Sequence, residues 1–171
     1  MIGTFFVRVT LSDVILLGHA AFGILGTLSA LWVFVEALNA REENASRIRR
    51  GAMAVTISMC AACLLGGYWY VTSYPAEKAI ILEGPWPAAH NVFMETKEHL
   101  FFSTLILAIY LPIAAADKVY ANAIVRKMVL CVSLLIVFTG LAIEGAGAVI
   151  NHGVKIALLR AHLKEAHVKG K

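Results

Sequence analysis

The sequence predicts an all-α integral membrane four-helix bundle with antiparallel, up-and-down topology, and three observations carry that prediction. The 171-residue chain is 60% apolar and only 15% charged, with a mean hydropathy of +0.76, too apolar for an ordinary soluble domain. Four intervals, near residues 14–38, 51–73, 95–116 and 128–152, are long enough to cross a bilayer, which takes about 20 apolar residues. The connections are short, so consecutive helices become antiparallel neighbours in one membrane domain spanning residues 1–171.

The first thirteen residues contain Arg8 and Asp13. A secretory signal would follow a brief apolar core with small residues at a cleavage site. Here the apolar run continues from Val14 to Val35, which predicts an uncleaved first span. His19 lies near its start, with Gly23, Gly26, Thr27 and Ala30 following on the same helical stripe. Small residues in such a stripe let another helix or a flat cofactor approach the backbone.

The second span ends GGYWYVTSYP, where Tyr68, Trp69, Tyr70 and Tyr74 have the composition of an interfacial aromatic belt and Pro75 stops the helix. Cys60-x-x-Cys63 has the spacing of a redox pair, but its small, lipid-buried surroundings favour packing. With Cys131 the three thiols specify no compartment.

In the long connection that follows, Ala79–Leu82 is too short to span, and Gly84-Pro85-Trp86-Pro87 reads as a rigid bend or lid. After it come His90, Glu95, Lys97, Glu98 and His99. Helical spacing puts Glu95, Glu98, His99 and Phe102 on one side of the third span as it begins.

The fourth span holds Glu144 among Gly140, Gly145, Ala146, Gly147 and Ala148, with His152 on nearly the same face. An ionised carboxylate in hydrocarbon is costly, so Glu144 must be paired, protonated or coordinating. Residues 153–171 form a basic tail whose charges, including Lys155, Arg160, Lys164, Lys169 and Lys171, scatter around a helix rather than forming a clean amphipath.

The first and third connections carry seven Lys or Arg residues in 23 positions, against three in 38 for residues 1–13 and 74–98. The positive-inside rule then places the basic loops in the cytoplasm and both termini outside, in a bacterial inner membrane. The basic tail runs against that assignment unless it docks on a partner subunit or lipid headgroups. The net charge of +4 sits beside the spans rather than along a soluble face, which points to anionic lipid and not to nucleic acid.

Counted from the cytoplasmic helix ends at about 1.5 Å per residue, His19, Tyr68, His99 and Glu144 all fall roughly 25 to 27 Å up the bundle. That shared layer predicts a b-type haem ligated by His19 and His99, with Gly23 and Gly26 making room for the ring, Tyr68 beside it, and Glu144 and Glu95 handling protons. His152 and His90 are alternative metal ligands. No C-x-x-C-H motif indicates covalent haem attachment. The corresponding function is electron transport in a respiratory chain, exchanging electrons with quinol or with membrane or periplasmic redox subunits. The chain then acts as a subunit of a larger complex rather than as an isolated enzyme. Three alternatives remain open. Glu95, His99 and Glu144 with His19 or His152 form a non-haem iron, zinc or manganese site; His and Glu support proton or quinol chemistry without a metal; or the chain is a structural accessory subunit.

Overall fold

The computed structural model describes residues 10–169; Arg8 and Lys171 lie outside the described residues. It is an all-α bundle in which four helices are long and apolar enough to cross a membrane, joined by one shorter helix.

Helix α1, Leu11–Leu38, opens with a capping box: Thr10 Oγ1 accepts from the Asp13 amide and the Asp13 carboxylate accepts from the Thr10 amide at 2.8 Å. Its other end is closed by the buried Asn44, whose Nδ2 donates to the carbonyls of Glu36 and Asn39. This satisfies acceptors that a helix C-terminus leaves open. A single 3₁₀ turn, Glu42–Asn44, leads into α2, Ala45–Thr72. Helix α2 thus takes in Arg47, Arg49 and Arg50, which the sequence reading left in a loop, and Arg47 reaches back to Glu36 at 3.0 Å.

Pro75 sits in the first turn of α3, Tyr74–Glu83, where its missing N–H costs nothing. After the turn at residues 84–88, a π-helical segment, Ala89–Met94, runs directly into α4, Glu95–Ala115. Helix α5, Ala123–Lys169, is continuous over 47 residues. At about 1.5 Å per residue it extends roughly 70 Å, over twice a hydrocarbon core of about 30 Å. The described part of the basic tail is therefore a continuation of the last helix, packed through Gly153 and Ala157 and with Lys155, Arg160 and Lys164 exposed.

Helix α1 packs on α2 and α5, and α4 packs on the same two, so the long helices close a ring. Ser12 Oγ donates to Ser73 Oγ at 2.9 Å, bringing the start of α1 to the end of α2. At the opposite end of the bundle, Arg49 donates to the Ala116 carbonyl. Leu17, Leu64 and Ile106 point outward, each more than two-thirds exposed. An apolar exterior of this kind suits lipid rather than water.

Small side chains and hydroxyls occupy the interior. Pro112 lies inside α4 and has no N–H to give the Ala108 carbonyl one turn back. Thr56 of α2 supplies the missing donor, its Oγ1 lying 2.6 Å from that oxygen. Thr104 Oγ1 donates to Thr139 Oγ1 at 2.8 Å, tying α4 to α5. Gly140 lets the Thr27 side chain close against the α5 backbone, and Gly84 admits Ala157.

One apolar core fills the basic-loop end around Val33, Val55, Leu111 and Ile136. A second, at the α3 end, gathers Trp69, Tyr74, Ile81, Met94 and Ile150. The aromatic cluster is thereby divided. Tyr68 is exposed as an interfacial residue should be, whereas Trp69 and Tyr74 are core residues at 8% and 1% exposure.

Candidate functional site

Between α2 and α4, with α1 contributing Leu16 and His19, lies a cavity of about 240 Å³ toward the α3 end. Its walls are mainly apolar, formed by residues such as Leu16, Ala62, Val71, Met94, Phe101 and Phe102, with the Gly66-Gly67 pair on one side. The polar groups on its lining are His19, Tyr70, Lys97 and Glu98, together with the thiol of Cys63.

The local sequence explains how each is held. The imidazole of His19 lies against Gly66, where a Cβ would leave it no room. Its Nδ1 is 2.8 Å from the Ala62 carbonyl. A carbonyl only accepts, so Nδ1 carries the proton and Nε2 is left as the basic nitrogen. The ring also packs 6.3 Å from Phe101, centroid to centroid. One oxygen of the Glu98 carboxylate is buried without a hydrogen-bond partner. Such a group is costly to keep and marks a place where something else binds or a proton resides.

Lys97 and Glu144 make up the inner side of this region. The Glu144 carboxylate fills the notch over Gly23, 2.6 Å from where a Cβ would stand, and the Lys97 ammonium lies 3.2 Å from the equivalent point on Gly147. Each feels the other's charge. A cation on α4 facing a carboxylate on α5 at membrane depth is the kind of pair that apolar spans retain for function.

The sequence-derived site residues are distributed as follows. His19 lines the cavity, and Glu144 sits one helix turn away on Gly23. Gly26 seats the Met59 side chain, so the glycine stripe of α1 is filled by residues of neighbouring helices. His99 and Glu95 are on the exposed flank of α4, with His99 Nδ1 donating to the Glu95 carbonyl at 2.7 Å. Tyr68 faces outward. His152 is exposed, its ring centroid 6.4 Å from that of Trp86 in an edge-on arrangement. His90 is buried and bonded to Tyr74. Among the described residues no three His, Cys, Asp or Glu side chains are grouped to hold a metal ion.

Compared with protein-family models, curated proteins and solved structures, the chain matches none.

Lys97, Glu98 and Tyr70 were not among the sequence-derived site residues. For Lys97 a signal existed. The buried stripe of α4 runs Thr104, Ala108, Leu111, Ala115, and stepping back seven residues from Thr104 reaches Lys97. A cation on an otherwise buried stripe is a stronger pointer than the cluster of charges around it.

Proposed function

We propose that this protein is a membrane electron-transfer component whose cavity between α2 and α4 receives the head of a quinol or quinone from the bilayer. The observation that carries the proposal is the combination of an apolar cavity with His19, Lys97 and the unpartnered Glu98 oxygen along one side. Size supports a single ring: a cavity of about 150 Å³ takes benzene, so about 240 Å³ suits a substituted quinone head. The exposed Val71 and Phe102 at the rim leave the isoprenoid chain to lie in lipid.

In this reading His19 Nε2 accepts a hydrogen bond from one quinol hydroxyl, Glu98 accepts from the other, and Lys97 donates to the carbonyl oxygen of the quinone. Oxidation of the quinol returns two protons to His19 and Glu98 and passes two electrons to a redox centre of a partner subunit. Glu144 balances the charge of Lys97. The four spans cross up and down, with the basic loops in the cytoplasm and both termini outside, so the cavity opens near the outer leaflet.

A b-type haem is the second reading, favoured by one observation. His19 and His99 each have Nδ1 tied to a backbone carbonyl, at 2.8 and 2.7 Å. That arrangement fixes the ring and leaves Nε2 for iron.

Titrating the detergent-purified protein with decylubiquinone, followed by quenching of tryptophan fluorescence, tests the first reading. Binding weakened about tenfold or more, roughly 1.4 kcal/mol, by His19→Ala and Glu98→Gln but not by His152→Ala is the expected result. Binding indifferent to all three substitutions refutes it. A reduced-minus-oxidised visible spectrum tests the haem, whose bands His19→Ala and His99→Ala must abolish.

A further inference from the structure

Tyr74 and His90 are 1% and 4% exposed, and neither lines the cavity. The Tyr74 hydroxyl lies 2.9 Å from His90 Nδ1. Packing alone needs no hydroxyl and no imidazole here, since phenylalanine and leucine fill such volumes without burying polar atoms. His90 also belongs to the π-helical segment Ala89–Met94, a geometry used sparingly and often at functional positions.

Aromatic and charged groups surround the pair. Tyr70, on the cavity lining, stacks on Tyr74 at 5.2 Å between centroids and 21° between planes. Glu98, also on the lining, is within electrostatic reach of both Tyr74 and His90. The exposed Glu95 and, from α3, Lys78 also act on His90, and Glu77 acts on Tyr74. From α5, the His152 ring lies against Trp86.

We infer that Tyr74 and His90 form a proton route linking Glu98 in the cavity to Glu95 and solvent at the α3 end of the bundle. The route rests on reading the cavity as a site of proton-releasing chemistry. As a proton from Glu98 reaches the Tyr74 oxygen, through water over the intervening gap, the phenol gives its own proton to His90 Nδ1. The imidazolium then releases the proton on Nε2 toward Glu95. Tyr74 stays neutral throughout, in keeping with burial, which holds its phenol far above the ordinary value, helped by Tyr70 and the carboxylates of Glu98 and Glu77.

The test is hydrogen–deuterium exchange at the Glu98 carboxyl in phosphatidylcholine vesicles. It is read from the infrared C=O band that Glu98→Gln removes, at a pH acid enough to keep that carboxyl protonated. Tyr74→Phe and His90→Ala should each slow exchange about a hundredfold, the low end of what a positioned proton-transfer group supplies. Imidazole in the medium should restore the His90→Ala rate. Exchange as fast in both variants as in the wild type overturns the route, and so does a slowing that imidazole leaves untouched, which would belong to packing. Decylubiquinone binding is scored separately. If the quinone fails to bind while exchange still depends on both residues, the ligand assignment falls and the route stands.

Discussion

Glu98, His19 and Lys97 differ from most other polar residues of the spans in lining the cavity, where one Glu98 oxygen has no hydrogen-bond partner. Thr56 repairs the carbonyl that Pro112 orphans, and Asn44 closes α1. That distinction yields a ranking of substitutions. Hydrogen bonds between membrane helices average about 0.6 kcal/mol, with a maximum near 1.7. Thr104→Val, which breaks the bond to Thr139, should cost about the average. Thr56→Val should cost near the maximum, because Ala108 has no intrahelical donor to fall back on. Unfolding in mixed micelles checks the order, and equal costs would contradict the role given to Thr56. Gly66→Ala should leave the fold largely intact yet displace His19, weakening quinone binding as strongly as His19→Ala does; the same fluorescence titration reads it.

Among the elements, α3 is the one whose stability should respond to pH. Burial pushes the Glu77 carboxyl above its ordinary 4.5, and the Asp13 carboxylate adds to the shift. The folded state therefore binds this proton more tightly than the unfolded chain. Stability is greatest below the ordinary value and declines as pH rises through the raised folded value. Glu77→Gln should raise the thermal midpoint at pH 7 and flatten its dependence between pH 4.5 and 7. A midpoint that still falls with pH in the variant would assign the effect to another group. Helix α3 also shows why the sequence was informative only in part. Spans are announced by apolar runs of about 20 residues, which only a membrane requires. Tyr74–Glu83 has ten residues of mixed character, short enough for its packing on α5 and the π-helical segment to decide its form. Tyr74 was grouped with its aromatic neighbours because aromatics near a span end suit the interface. Only the turn into α3 sends it inward to His90.

At the scale of the whole molecule, the bundle stacks a dense core at the basic-loop end and a looser, polar, cavity-bearing region at the other. The depth argument grouped His19, Tyr68, His99 and Glu144 because rise per residue is nearly fixed; of these, His19 lines the cavity and Glu144 sits beside it over Gly23. Rise alone does not choose the face of α4 that turns inward, and there it is Lys97 and Glu98 that line the cavity. The proposed up-and-down insertion makes its own prediction. In intact spheroplasts a membrane-impermeant maleimide should label Glu83→Cys directly and Ala121→Cys only after permeabilisation, both positions being exposed. Labelling of both from one side would refute the topology. The most direct measurement of the central claim is photo-crosslinking with an azidoquinone in membranes, followed by peptide mapping. Labelling confined to residues 16–19 of α1, 62–71 of α2 and 94–102 at the start of α4, and displaced by excess decylubiquinone, is what a quinone cavity lined by those segments predicts. Labelling spread over the lipid-facing surface, with no displacement, would contradict it.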